Sequence, residues 1–305
     1  MATLPTAGSS DRPVFGIARA PRRHSAVLLL TCADQPGIVA AVSDFLFSHG
    51  GNIVSVDQHT DRDDGQFFQR IAFDLEGFTI PDEAILAALD PITSRFGMTC
   101  QLLFPDAVQR VAVLASKQSH CLLDLLARWR TGELDADIAL VASNHPDHAA
   151  ACDFFGVPFH YVPIVDGDKQ TQERQMADLL AAGSVDLVVL ARYMQVLSTW
   201  FIDRMPNRVI NIHHSLLPAF VGAKPYHQAY GRGVKIVGAT AHYATSDLDQ
   251  GPIIAQEISP VTHRDSVDDL VRRGKDVEAL TLARAVRLHL AAKVLVHQNR
   301  TVVFD

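Results

Sequence analysis

Leu187-Val-Val-Leu190-Ala-Arg-Tyr-Met-Gln195-Val-Leu-Ser-Thr-Trp200-Phe-Ile-Asp-Arg-Met205-Pro-Asn-Arg-Val-Ile210-Asn-Ile-His213 contains two short apolar runs, 187–190 and 209–212, separated by helix-spaced apolar residues over 196–205. Short Val/Leu/Ile runs bounded by polar residues read as strands buried on both faces, and a helix between two of them is the crossover of a parallel sheet. Upstream, residues 110–115, 138–142 and 157–162 read as further strands, with helices over 121–129, 147–155 and 171–182. The alternation predicts an α/β fold for 110–305, a doubly wound, mostly parallel, Rossmann-like sheet. Residues 234–243 and 252–258 leave no room for a helix between them, so that end of the sheet is expected to be mixed. Residues 267–298 read as a closing helix, broken near Gly274.

Composition bounds the function. A chain of 305 residues with 48% hydrophobic and 20% charged residues is globular and long enough for two domains. The net charge of −7 and the lack of a Lys/Arg block make nucleic acid and anionic lipid poor partners and a small molecule a better one. No apolar run approaches the ~20 residues of a membrane span. The four cysteines show no C-x-x-C spacing, so free thiols are expected rather than a zinc knuckle or a disulfide framework. Residues 1–24 lack the apolar core of a secretory signal; a loosely ordered N-terminus and a cytoplasmic protein are expected.

Residues 26–32 read as a strand stopped by Asp34-Gln-Pro36-Gly37. Ile38, Val39, Val42, Phe45 and Leu46 follow at helical spacing up to Gly50-Gly51. Strands over 52–60 and 66–75 around Arg62-Asp-Asp-Gly65, a helix over 82–96 interrupted at Pro91, and a strand over 99–104 complete a βαββαβ order. With the turn at Asp34, Pro36, Gly37 and Ile38, this ferredoxin-like order over 25–104 resembles the ACT domain, a regulatory module. The resemblance implies an amino-acid effector near those four residues, or a module that serves assembly, and a homo-oligomer. Residues 105–109 read as a linker.

Open α/β sheets bind ligands beyond the carboxyl ends of their strands. Asn211 and His213 sit at such an end, and strand alternation puts them on one face with His214 on the other. Downstream, Asp247 and Asp249 precede Gln250-Gly251-Pro252, and the Gly-Pro pair would fix the loop and aim Asp249. An amide, an imidazole and a carboxylate are the groups that general acid/base work needs. His213, His214, His242 and Asp249 are also zinc-capable, but adjacent histidines on an extended strand do not converge on one ion, so no metal is expected.

Asn211-Ile-His213-x-Ser215-Leu-Leu-Pro218, Gly238-x-Thr-x-His242 and Leu248-Asp249-x-Gly-Pro252-Ile-Ile together resemble the signature of the folate-dependent formyltransferase and formyl hydrolase family. The resemblance covers 110–305 and implies that Asn211, His213 and Asp249 form the catalytic set. It implies a folate substrate held by Met194, Gln195, Val196 and Leu197, with Ser215, His242 and Asp247 as further contacts, and no separate cofactor. Transferases of the family that act on a phosphorylated amine carry a Gly-Ser-Asn-type phosphate loop after the domain's first strand. Here that place reads Ala115-Ser-Lys117-Gln-Ser-His120-Cys121, without glycine, although Lys117 offers a charge. Together with the ACT-like unit and with Ala223-Lys-Pro-Tyr226-His227, this points to the hydrolase branch, in which water replaces the amine. The implied reaction converts 10-formyltetrahydrofolate to tetrahydrofolate and formate, with Asn211 and His213 stabilising the oxyanion and Asp249 orienting His213 and the water. A formyltransferase acting on an amine such as glycinamide ribonucleotide, and an inactive amino-acid-binding regulatory protein, remain as alternatives. A dinucleotide-dependent dehydrogenase would need a Gly-x-Gly-x-x-Gly turn, which the segment after Leu114 lacks.

Overall fold

The computed structural model describes residues 24–219 and 225–305. The expected loose N-terminus and the motif residues Ala223 and Lys224 lie outside the described residues.

The first unit runs β1 (Ser25–Ala33), α1 (Ile38–Ser48), β2 (Asn52–Asp61), β3 (Gln66–Asp74), α2 (Ile85–Phe96) and β4 (Thr99–Leu103). Its strands form an antiparallel sheet in the order β2-β3-β1-β4, the βαββαβ arrangement expected of an ACT domain. Strand alternation sends Ala26, Leu28, Leu30, Ile71 and Phe73 to one face, where Val42 and Leu46 of α1 and Ile85 and Leu89 of α2 cover them. Pro91 lies inside α2 rather than interrupting it. The buried stripe of Ile85, Leu89 and Phe96 holds the helix together across the backbone bond that proline cannot donate.

The second unit continues with β5 (Gln109–Ala115), α3 (His120–Thr131), β6 (Ala136–Ser143), α4 (Ala149–Phe155), β7 (Phe159–Tyr161), α5 (Lys169–Ala182), β8 (Leu187–Ala191), α6 (Thr199–Ile202) and β9 (Val209–His213). It ends with α7 (Pro225–Arg232), β10 (Ile236–Tyr243), β11 (Ile253–Pro260), α8 (Val267–Leu290) and the hairpin of β12 (Val294–His297) and β13 (Arg300–Val303). The seven-stranded sheet has the order β11-β10-β9-β8-β5-β6-β7. Strands β5 to β9 pair in parallel, whereas β10 and β11 are antiparallel, so the β10–β11 end of the sheet is mixed as expected.

Val189, Ile210 and Ile212 pack with Leu122 and Leu125 of α3 and Leu282 and Val286 of α8. Val188, Leu190 and Val209 pack on the other face with Met176 of α5 and Phe201 of α6. Each such buried aliphatic side chain contributes about 1.5–3 kcal/mol. Because β6 and β7 lie on one side of β5 while β8 and β9 lie on the other, a crevice opens between the carboxyl ends of β5 and β8, the switch point at which such sheets bind ligands.

In the second unit, two helices differ from the sequence reading. The helix expected over 196–205 shrinks to α6, because Ser198 caps it by accepting from the Phe201 N–H and is itself held by Glu173 on α5, leaving 194–197 outside any helix or strand. The closing helix runs unbroken through Gly274 to Leu290, where a hairpin replaces its expected last turns. A capping box of Ser266 and Asp269 starts α8. Gly274 serves packing: a Cβ there would lie 2.1 Å from Cζ and 2.6 Å from Cε1 of Tyr226 on α7.

The two units meet where Val27, Leu29 and Phe68 pack against Ala292, Leu295 and Phe304. Arg70 on β3 crosses this contact, its Nε donating to the Ala292 carbonyl at 3.0 Å and its Nη2 to the Ala291 carbonyl, the C-cap of α8, at 3.4 Å. A guanidinium at a helix C-terminus satisfies carbonyls that the helix leaves free. Among the described residues, no helix is long and apolar enough to cross a membrane.

At an unconstrained helix-interior site, alanine is favoured over glycine by about 1 kcal/mol. Gly274→Ala is expected to reverse that sign and lower the denaturant midpoint, since the methyl group collides with Tyr226. A variant at least as stable as the parent in equilibrium denaturation would show that α7 does not depend on this contact.

Candidate active site

Strand β9 pairs with β10 so that Asn211 faces His242 and His213 faces Thr240. Opposed residues and alternate residues share a face, so Asn211, His213 and His242 gather on one side of the sheet. They line a cavity of about 620 Å³ at the switch point, in the size range of small-molecule sites.

Asp249 enters from the loop between β10 and β11. Its backbone is left-handed, with φ of 56°, and the next turn is so tight that a Cβ on Gly251 would lie 1.8 Å from the Tyr243 carbonyl oxygen. The Tyr243 N–H donates to the Pro252 carbonyl at 2.9 Å, closing the loop on its own stem. The loop thereby presents the carboxylate to two imidazoles: Oδ2 lies 3.1 Å from His213 Nδ1 and Oδ1 3.6 Å from His242 Nε2. Burial alone would raise the Asp249 carboxyl, but the hydrogen bond and charge of His213, with the His242 imidazole beside it, outweigh burial and hold the group well below the usual carboxylate range.

These contacts fix the protons. His242 Nδ1 lies 3.0 Å from the Tyr243 carbonyl, which can only accept, so Nδ1 carries the hydrogen. In the neutral ring Nε2 then accepts from Asn211 Nδ2 at 3.1 Å, which orients the amide and leaves its second N–H available. His213 Nδ1 donates to the ionised Asp249. Its Nε2 is buried and has no hydrogen-bond partner among the described residues. A buried polar atom without a partner is costly, and at the wall of a cavity it marks where a ligand atom belongs.

One end of the cavity is largely apolar, with Met194, Val196 and Leu197 contributing from the segment after β8 and Leu248 from the Asp249 loop; Gln195 also lines the cavity. The backbone N–H of Met194 donates to Ser116 Oγ at 3.0 Å, tying this segment to the turn after β5. Ser215 and Asp247, expected as substrate contacts, are not among the lining residues. Ser215 is buried and donates to the Ala219 carbonyl at 2.7 Å as the chain turns away from β9, whereas Asp247 is exposed and its carbonyl accepts from Thr245 Oγ1. Asp34, Pro36 and Gly37 lie between β1 and α1, with Gly37 at the N-cap of α1 at φ 96°, and Ile38 is the first, buried residue of that helix. A Cβ on Gly37 would touch only Phe96 Cζ at 3.8 Å, so within the chain its conformation, rather than crowding, calls for glycine.

The other end of the cavity is polar and was not anticipated from the sequence. Glu278 on α8 is 1% exposed. Its Oε1 accepts from Tyr226 Oη at 2.7 Å, and its Oε2 lies 2.8 Å from His120 Nε2 and 3.3 Å from Arg192 Nε. Burial would raise Glu278, yet the His120 hydrogen bond, the Arg192 charge and Tyr226 keep it below its usual value. A readable signal existed, since Glu278 falls on the buried stripe of α8 with Leu270, Gly274 and Leu282, where a carboxylate needs partners. His120, Cys121 and Glu278 offer ligand atoms within 4.8 Å of one another. Both Glu278 oxygens are already engaged, Arg192 balances the charge, and burial pushes the Cys121 thiol far up, so this group is satisfied without an ion.

Comparison with known proteins agrees with this architecture. Residues 109–286 match the formyl transferase family and residues 26–92 the ACT domain. The chain is 52% identical over 280 residues to a formyltetrahydrofolate deformylase of Synechocystis sp., covering 92% of this chain and 98% of that one. It is 48% identical over 279 residues to one of Bacillus subtilis, covering 91% and 93%. The chain belongs to the formyltetrahydrofolate deformylase family. A crystal structure of a family member from Pseudomonas syringae pv. tomato, 45% identical, superposes with a TM-score of 0.89 over 93% of this chain and 95% of that one. The likeness spans both units.

His214, just past the end of β9, also borders the cavity with its ring centroid 5.1 Å from that of His213, so the expected strand alternation does not carry it away from the site. Burial, the Arg192 cation and neighbouring His213 push it down to about 4. Between that value and the ordinary imidazole value of about 6.5, the unfolded chain binds a proton that folded His214 refuses, so stability falls as pH drops through this window. His289, pushed down to about 4 mainly by burial, adds the same dependence. In denaturation between pH 7 and pH 4.5, His214→Asn is expected to lose less stability than the parent, by about one proton of the dependence. Parallel curves would contradict the assignment.

Proposed function

We propose that the chain hydrolyses 10-formyltetrahydrofolate to tetrahydrofolate and formate, with Asn211, His213 and Asp249 as the catalytic residues. The observation that carries this reading is the unpartnered Nε2 of His213, held by Asp249 through Nδ1 and placed beside the free N–H of Asn211 at the wall of the cavity. The relatives' shared name supplies the substrate class.

Water attacking the formyl carbon leaves negative charge on the formyl oxygen. Two donors can meet it there, the second N–H of Asn211 and Nε2–H of protonated His213, both set in place before reaction. Asp249 stays ionised, stabilises the imidazolium and keeps it in one orientation. Its Oδ1, 3.6 Å from His242 and outside hydrogen-bond range, is left to accept from the attacking water. As the carbon–N10 bond breaks, His213 protonates N10, and the proton lost by water restores the dyad. The pterin and its linker fit the largely apolar end lined by Met194, Gln195, Val196 and Leu197, with His242 acting through Asn211 rather than on the folate. No cofactor enters this scheme, since the folate is itself the substrate.

Water as the acceptor is favoured by two features of the turn and wall facing the dyad. The turn at 115–121 has no glycine for close approach of a phosphate, and Ser116 within it is bonded to Asn144 at 2.7 Å and to the Met194 N–H. The Arg192, Glu278, Tyr226 and His120 network fills the polar wall with side chains bonded to one another. The ACT unit fits a regulatory role with an amino-acid effector near Gly37, and a homo-oligomer assembled through its sheet.

Asn211→Ala is expected to lower kcat by about 10²–10³ and His213→Ala by about 10²–10⁴, with folded protein in both cases. Near-normal turnover of either variant would remove that residue from the mechanism. Asp249→Asn is expected to bind folate nearly as tightly as the parent while losing turnover, because it keeps the shape and loses the charge. Equal losses in equilibrium binding and in rate would make Asp249 a structural residue instead.

A further inference from the structure

Arg192 is the first residue after β8, 8% exposed, with a left-handed φ of 61° that residues carrying a Cβ rarely adopt. The conformation turns its side chain into the wall of the cavity. Nε donates to Gln118 Oε1 at 3.0 Å and lies 3.3 Å from Glu278 Oε2, whereas neither Nη is hydrogen-bonded to a described residue. Glu278 cannot swing to cover them, because Tyr226 and His120 hold its two oxygens. The Nη edge of a buried guanidinium is thus left facing the cavity.

This edge connects to the reacting groups through a short series of contacts. The His213 and His214 ring centroids are 5.1 Å apart, those of His214 and Tyr226 are 6.4 Å apart, and Tyr226 bonds Glu278, which pairs with Arg192. Two carboxylates line the cavity, Asp249 and Glu278, and both are engaged by their own partners. The remaining polar wall is rich in donors: Arg192, the Gln118 amide and, at the rim, Lys275. Such a wall accepts an anion, and the planar fork of a guanidinium matches a carboxylate better than other small anions.

We propose that Arg192 forms a subsite for a small carboxylate, and that its occupant is the formate left by the reaction. The inference rests on the hydrolase reading for that occupant. Hydrolysis adds water across the carbon–N10 bond, placing a hydrogen on N10 and a hydroxyl on the formyl carbon; the formic acid then loses its proton near neutral pH. A neutral amide thus becomes an anion beside a largely apolar folate pocket. Arg192 draws that anion away from N10, and the same contact lets free formate bind the resting protein.

The test uses ¹³C-formate line broadening on the full chain without 10-formyltetrahydrofolate, at constant ionic strength with chloride as the balancing anion. Binding is expected to saturate, to persist when tetrahydrofolate fills the folate pocket, to weaken at least about ten-fold in Arg192→Lys, which keeps the charge without the fork, and to vanish in Arg192→Gln. Broadening that never saturates, or that is unchanged in either variant, overturns the subsite. Loss of formate binding on adding tetrahydrofolate also overturns it, assigning the guanidinium to a carboxylate of the folate tail. If Arg192→Gln fails to fold, Arg192→Lys and the parent decide the matter. Failure of the hydrolase reading itself would show separately, as no formate release from 10-formyltetrahydrofolate without an amine.

Discussion

The contact between His213 Nδ1 and Asp249 Oδ2 is the constraint on which the site depends. Its partners are 36 residues apart in sequence, one on the last residue of a buried strand and one in a loop between two others. Bringing them to 3.1 Å requires the antiparallel pairing of β9 with β10, a left-handed backbone at Asp249 and a Gly251 with no room for a side chain. The loop is therefore committed to one shape before any ligand arrives. That pre-set geometry ionises Asp249, fixes which nitrogen of His213 carries its hydrogen, and leaves the other nitrogen at the wall of the cavity.

A second constraint lies in α8. Its middle places Glu278 at the cavity, Gly274 lets Tyr226 pack against it, and its last carbonyls meet Arg70 on the first unit's sheet. One helix thus touches the ACT sheet at its end and the polar wall of the site at its centre. The wall centres on one carboxylate satisfied by a tyrosine, a histidine and the Nε of an arginine. A buried carboxylate of this kind would be strongly destabilising if any partner left it exposed to an apolar interior.

The fold was legible because both units rely on short-range patterns. Buried strands alternating with helices announced the parallel sheet, and period-two alternation over Gln66–Asp74 announced an antiparallel one. Asn211 and His213 could be placed on one face by strand geometry alone, and Asp249 could be preferred over Asp247 because Gly251 and Pro252 stiffen the chain beside it. What escaped depends on tertiary contact. Helical spacing over 196–205 was overridden by the cap at Ser198 and its bond to Glu173, and the terminal hairpin is short enough for its apolar residues to pass as helix. Glu278, Arg192, Tyr226 and His120 come from four separate segments, and no local pattern links them. Ser215 carries the family signature but serves the turn after β9 rather than the cavity.

The central claim is that the dyad delivers water, rather than an amine, to the formyl carbon. The most direct measurement is a single turnover of 10-formyltetrahydrofolate with enzyme in excess, in ¹⁸O-water and without any amine, following tetrahydrofolate and formate by mass. The account predicts stoichiometric tetrahydrofolate and formate carrying one solvent oxygen, with the rate lost in His213→Ala. A folate that keeps its formyl group until an amine is added, or equal rates with and without His213, would contradict it.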